Sequence, residues 1–268
     1  MEPPCYTIAD LLRVMERLRD PQHGCPWDLR QDFNSIVPST LEECYELAQA
    51  IEHEDYPHVA EELGDVLFQV IFYSQMAAEQ GLFTFDVIVN TLVEKLIRRH
   101  PHVFAEGQVE GVVTERTSVD EVKLSWESIK KGERSEKNQH GALADVPTAL
   151  PALARAQKLQ KRASQLGFDW QEVSGVLEKL QEEMDELRQA IAKEGEQRID
   201  EELGDVLFTC VNLARHLGRD AESSLRHSSA RFEQRFSKME ELSLTDGREL
   251  EALNAEQFEE LWLRVKRD

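Results

Sequence analysis

Residues 42–68, EECYELAQAIEHEDYPHVAEELGDVLF, and residues 182–208, EEMDELRQAIAKEGEQRIDEELGDVLF, align without a gap and agree at 16 of 27 positions. The octapeptide EELGDVLF closes both stretches, its two copies lying 140 residues apart. A repeat this long is the mark of a duplicated structural unit, and it fixes the layout of the chain before any single motif is weighed. An offset of 136 residues places Lys95 and Arg99 on Arg231 and Arg235, and Trp126 and Lys130 on Trp262 and Lys266. Trp27 and Trp170 precede the two copies in roughly matching places.

The pattern around the repeat is helical. Ile8, Leu11, Leu12, Met15 and Leu18 recur at helical spacing, as do Val176, Leu177, Leu180, Met184 and Leu187. One short stretch, Val109 to Val113, reads as a turn or ribbon between glycines. The expectation is therefore an all-α chain of two tandem duplicated helical domains. Polar, glycine-bearing stretches at Ala105–Ser118 and Lys131–Val146 read as connections, and the second divides the chain into 1–130, a linker 131–146, and 147–268. All nine prolines fall at or before Pro151, which sharpens that division.

The 268 residues carry 31 Lys and Arg against 52 Asp and Glu, a formal charge of −21. Such an acidic field argues against a nucleic-acid polymer or an anionic membrane as partner, and an anionic ligand must be met through cations. The opening residues lack a signal-peptide pattern, and the apolar run Val66–Tyr73 is broken by Gln69. Cys5, Cys25, Cys44 and Cys210 form no CxxC pair and read as reduced thiols. A cytoplasmic location is the expectation.

Each half carries EExxE, a gap, then ExxD: Glu42, Glu43, Glu46, Glu62 and Asp65, and again Glu182, Glu183, Glu186, Glu202 and Asp205. Spacings of three put each pair on one helix face. A turn near Asp55-Tyr56-Pro57, and another near Gly195, would fold two antiparallel helices together and collect four carboxylates. Like charges about 4 Å apart repel by about 4 kcal/mol at an effective dielectric of about 20, so the cluster calls for a cation. An all-oxygen set suits Mg²⁺, with Mn²⁺ as a substitute, and such ions activate water and polarise phosphoryl groups. A lone EExxE is ordinarily a solvated helix face. The repeated gap from Glu46 to Glu62 and from Glu186 to Glu202, in halves otherwise diverged, favours the metal. The apolar neighbours of Glu202 and Asp205, namely Leu203, Val206, Leu207 and Phe208, predict that this helix is partly buried.

Arg231 and Arg235, one turn apart, could hold phosphate oxygens or simply form a surface face. Trp262 could stack on a base or anchor a terminal helix, the commoner role. Lys266 reads as solvated charge. No P-loop, HExxH or ExxH is present, which sets aside P-loop nucleotidases, zinc peptidases and ferritin-like di-iron bundles. A Nudix box fails for want of its preceding residues.

The motifs GCPWD (24–28), TLEE (40–43), both EELGDVLF runs, RRHPHVF (98–104), LPALARAQKLQKRA (150–163) and GFDW (167–170) together resemble the MazG family of all-α nucleoside triphosphate pyrophosphohydrolases. The resemblance implies hydrolysis of NTPs and dNTPs to monophosphate and pyrophosphate, Mg²⁺, and a homodimer that completes the helix bundles. It further implies that Glu183, Glu186, Glu202 and Asp205 hold metal, and that Lys179, Arg198, Arg231, Arg235, Trp262 and Lys266 contact nucleotide. Attack on the α-phosphorus by a metal-activated water is then the expected chemistry, with Glu182 either orienting the water or standing as a solvated neighbour.

Lys179, Arg198 and Lys193 stand where the first half has Ser39, His58 and His53. A triphosphate carries about four negative charges, so the extra cations favour the second half as the active one. Glu43, Glu46, Glu62 and Asp65, with Lys95, Arg99, Trp126 and Lys130, form a second, weaker or inactive cluster. A nucleotide sensor binding Mg·NTP without turnover is the rival from another class; release of product separates the two.

Overall fold

The computed structural model describes residues 5–111, 117–136, 141–193 and 195–267; the side chains of 123, 124, 127, 130, 131 and 134–136 lie outside that description. Among the described residues the regular elements are helices, without a strand. They run α1 Ile8–Leu18, α2 Val37–Glu52, α3 Tyr56–Glu79, α4 Phe85–Arg99, α5 Val119–Glu136, α6 Ala152–Ser164, α7 Val173–Lys193, α8 Glu196–His216, α9 Ala221–Thr245 and α10 Ala255–Val265. Residues 112 and 113 of the ribbon expected at 109–113 lie outside the described residues. No described helix is long and apolar enough to cross a membrane.

Contacts divide the chain into two units, Met1–Lys131 and Gly132–Asp268. Helix α5 runs through Glu136, six residues into the stretch read as a linker. Lys, Glu and Arg extend a helix well even without an apolar stripe, so polarity alone misplaced that end. The far end of the stretch is also engaged: Val146 is buried, and Asp145 accepts a 2.6 Å bond from Arg162 on α6. Residues 137–140 lie outside the described set.

In the first unit, α1 starts on a capping box between Thr7 and Asp10, and α3 starts on Asp55, whose side chain accepts from the His58 N–H, with Pro57 in the first turn. Met15, Ile36, Ile71, Phe72 and Met76 form the core where α1 meets α3. Arg19, just past α1, is buried there. It donates to both oxygens of Glu79 at 2.8–3.1 Å and to the carbonyls of Asp28 and Gln31, and lies 5.4 Å from the Phe72 ring centre.

In the second unit α7 and α8 form the hairpin that α2 and α3 form in the first, and α6 and α9 pack on α8. Gln157 of α6 ties the α8–α9 turn by donating to the Arg219 carbonyl and accepting from the Ala221 N–H. Gly167, at φ +85°, ends α6 in a left-handed turn and leads into GFDW. Asp169 in that turn accepts from Arg215 and contacts His216 Nε2 at 2.8 Å, which fixes the turn to the end of α8. Arg215, and after it His216, hold the Asp169 carboxyl below the usual range. Trp170 lies so close over Gly175 that a Cβ there would sit 2.6 Å from its ring. This sets the first turn of α7, the helix that carries the acidic residues. Met239, Leu261 and Val265 form a separate core between α9 and α10.

The apolar face of α8 departs from expectation. Glu202 is 1% exposed, whereas Leu203, Leu207 and Phe208 are 45%, 52% and 45% exposed. The helix is partly buried, but through the face that carries Glu202, Thr209, Val211 and Asn212. Leu63 at the matching place on α3 is likewise exposed.

Candidate metal and nucleotide site

The two hairpins build two acidic clusters. On α7, Glu183 and Glu186 are one turn apart; on α8, Glu202 faces them. Glu183, Glu186 and Glu202 each bring a carboxylate oxygen within 4.8 Å of the others, and Glu43, Glu46 and Glu62 do the same in the first unit. Asp205 and Asp65, expected as fourth members, lie outside these groups and are exposed. They sit three residues along their helices, where the face has begun to turn outward. Asp65 still acts on its cluster, because its charge helps to raise Glu43.

Burial sets the character of the second-unit cluster. Glu183 and Glu202 are buried; Glu202 Oε1 meets the Arg198 guanidinium, and its Oε2 has no hydrogen-bond partner among the described residues. Burial pushes the Glu202 carboxyl up, Arg198 pulls it down, and Glu186 and Glu183 push it up again. Buried, unsatisfied carboxylate oxygens facing one another are costly, and a hard cation would satisfy them. The donor set therefore fits Mg²⁺ or Mn²⁺.

Two side chains supply positive charge at the rim. Lys179 Nζ lies 2.7 Å from Glu182 and 3.0 Å from Glu183, and these two carboxylates, Glu182 first, hold its ammonium well above the usual lysine range. Arg198 contacts Glu202, lies 3.1 Å from Glu201, and approaches Glu186 to 4.0 Å. Glu182, considered for orienting water, is exposed and bound to Lys179. The part of Glu201 was not anticipated, although its i, i+3 spacing from Arg198 signals the pair.

The other predicted contacts gather on α9 and α10. Arg231 is exposed; Arg235, one turn on, is half-buried with its guanidinium 5.9 Å from the Trp262 ring centre. Lys266 Nζ stands 5.2 Å from the same ring, and Phe232 tilts against it at 5.7 Å. Trp262 also packs on the Met239 core, so it anchors α10 while carrying two cations. Lys266 is thus not simply solvated.

In the first unit Lys95 and Arg99 are half-buried on α4, and Trp126 on α5 meets His100 edge-on at 5.2 Å. The Lys130 side chain lies outside the described residues. His58 Nε2 lies 2.7 Å from Glu62, where the second unit has Arg198 against Glu202.

Comparison with known proteins meets this geometry at the same places. The model of the MazG nucleotide pyrophosphohydrolase domain matches residues 31–104 and 171–240, which take in α2–α4, then α7, α8 and most of α9. The chain is 48% identical over 264 residues to a nucleoside triphosphate pyrophosphohydrolase of Escherichia coli K12, covering 97% of each. It is 44% identical over 259 residues to the nucleoside triphosphate pyrophosphohydrolase/pyrophosphatase MazG of Thermotoga maritima, covering 97% of this chain and 95% of that one. A nucleoside triphosphate pyrophosphohydrolase of Mycobacterium tuberculosis is 36% identical over 163 residues, 60% of this chain and 46% of its own. A duplicated all-α chain with an acidic hairpin in each half, matched twice by one domain model, belongs to the MazG family of nucleotide pyrophosphohydrolases.

Proposed function

We propose that this chain hydrolyses nucleoside triphosphates and deoxynucleoside triphosphates to the monophosphate and pyrophosphate, in the cytoplasm, with its working site in residues 147–268. The observation that carries this reading is the Glu183–Glu186–Glu202 group, two of its members buried, with Lys179 and Arg198 at its rim. Glu183, Glu186 and Glu202, with Asp205 beside them, would hold Mg²⁺, or Mn²⁺ in its place. When bound, such an ion supplies Lewis-acid charge to the phosphoryl oxygens and makes water a better nucleophile at neutral pH.

The chain's own groups then bind and orient. Lys179 and Arg198 are held by carboxylates that a divalent ion would take over, and so become available to the triphosphate as the ion loads. Charge-assisted contacts of this kind position the α-phosphorus for water with pyrophosphate as leaving group. Arg231 and Arg235 extend the cationic surface along α9, and Trp262 with Lys266 offers a face that any base can meet. Glu182 orients the water once Lys179 turns to phosphate.

Leu203, Leu207 and Phe208 on α8, one exposed apolar strip, support a homodimer that covers this face. The first half serves mainly as scaffold, since Ser39 and His58 replace the two rim cations.

Ion-exchange analysis of the products from a panel of NTPs and dNTPs tests the reading. Monophosphate with pyrophosphate is expected, lost in Glu202→Gln and retained in Glu62→Gln. Diphosphate with orthophosphate refutes the chemistry, and the reverse mutant pattern refutes the choice of half.

A further inference from the structure

The ring of Trp170 stands on the same line of α7 as the rim of the second-unit acidic cluster. Its indole rests on Gly175, where a Cβ would meet Cδ1, Cγ and Nε1 of the pyrrole ring at 2.6, 3.4 and 3.5 Å. Glycine inside a helix is less favourable than alanine, so Gly175 answers to the ring above it. Gly175, Lys179, Glu182 and Glu186 fall within about 60° of one another around α7, and the seat of the ring lies about 6 Å before Lys179 and about 12 Å before Glu183 along the helix. The turn that carries the ring is held in place, because Asp169 Oδ1 accepts from the Trp170 N–H at 3.0 Å as well as from Arg215. Trp170 is still 39% exposed. Trp262, by contrast, already has Phe232, Arg235 and Lys266 against its ring and packs on the Met239 core. The first unit lacks the seat. Ile36 and Val176 match and are both buried, but Ser35 stands where the second unit has Gly175, ahead of α2, and Trp27 is 60% exposed.

We propose that Trp170 is a substrate-contacting residue whose indole stacks on the nucleoside base, so that a triphosphate held at Glu183, Glu186 and Glu202 lies along α7 with its base toward the start of that helix. The inference rests on the placing of the working site in residues 147–268. An aromatic face suits a base and offers nothing to a phosphate. The separation of about 12 Å between ring and cluster leaves room for ribose and phosphate, with Lys179 between them to meet phosphate oxygens. Stacking accepts any base but favours the larger face, so purine triphosphates bind more tightly than pyrimidine ones. Ser35 and the exposed Trp27 deny the first unit this contact, which adds to its loss of the two rim cations.

Tryptophan fluorescence of the full chain in Mg²⁺ tests this, with non-hydrolysable NTP analogues and inorganic triphosphate as probes and calorimetry to establish that each is bound. The analogues should quench the fluorescence and inorganic triphosphate should not. At saturating analogue the quench should disappear in Trp170→Phe and persist in Trp262→Phe. Trp170→Ala should raise KM by about tenfold, more for purines than for pyrimidines, with kcat within about twofold and the affinity for Mg²⁺ alone unchanged. Trp170→Phe, which keeps a ring, should recover most of that KM. Gly175→Ala displaces the indole without altering it and should raise KM as Trp170→Ala does, so the test stands even if Trp170→Ala folds poorly. A quench that survives Trp170→Phe, or a KM unmoved in Trp170→Ala, overturns the proposal. So does a joint loss of kcat, KM and Mg²⁺ affinity, regardless of base and not recovered by Trp170→Phe, which would make the indole only a strut for α7. Quenching at Trp170 without release of pyrophosphate would refute the proposed activity and leave this contact standing.

Discussion

Removing Lys179 moves metal binding and nucleotide binding in opposite directions. Its Nζ stands 3.0 Å from the buried Glu183 and 2.7 Å from the exposed Glu182, so it acts as a resident counter-ion of the cluster. At an effective dielectric of about 20, a unit pair at 3 Å attracts by roughly 5 kcal/mol, while exposed pairs measured by mutation give about 1 kcal/mol or less. Lys179 is one-third exposed, so about 1–2 kcal/mol is a reasonable net competition with an entering ion. Lys179→Met lifts that competition and tightens Mg²⁺ alone by about tenfold, since about 1.4 kcal/mol is a factor of ten. The same change removes one charge-assisted phosphate contact, worth about 1.5–3 kcal/mol, and weakens a non-hydrolysable Mg·triphosphate analogue by about ten- to a hundredfold. The ammonium pKa is raised, so Lys179 stays charged from pH 6 to 9 and both effects hold across that range. Isothermal titration of Mg²⁺ alone, then of the analogue, reads each term separately. If both affinities fall together, or neither moves, Lys179 is not the shared counter-ion argued here.

Arg19→Met should cost the first unit about 2–3 kcal/mol in urea melts: breaking a buried pair costs more, but the carboxylate of Glu79 is one-third exposed and rehydrates. A second change, Glu79→Gln, should return part of that loss, and strict additivity would refute the coupling. Asp169 has its folded pKa depressed, so its stabilisation is present above the unfolded value near 3.8 and is lost as pH falls through the lower folded value. Asp169→Asn should therefore flatten the acid limb of the second unit's melting profile; an unchanged limb would contradict the ion-pair assignment. Leu207→Glu should yield monomers by light scattering if the exposed strip of α8 is the dimer face, and dimers of undiminished stability would rule that face out.

The repeat, the helical periods and the i, i+3 carboxylates were enough to establish an all-α duplicated chain and to name the residues that meet, because each is a local property of spacing. Helix ends were less legible: α5 runs on through Lys131–Glu136 since polar residues with good propensity need no apolar stripe to stay helical. Tertiary structure alone decided which face each helix buries. A period of 3.6 places Glu202 and Leu203 on different faces but does not say which turns inward, and here the carboxylate is buried while the leucine is exposed. It also decided that Asp65 and Asp205 stand apart from the tight clusters, because three residues along, the helix face has begun to turn away from its partner, by an amount that spacing alone does not contain. The pairing of Lys179 and Arg198 with the acids was foreseeable from i, i+3 and i, i+4 spacing; that of Arg235 and Lys266 with Trp262 required α9 and α10 to pack. Sequence settles what a residue offers its own helix, and packing settles what it offers the rest of the molecule.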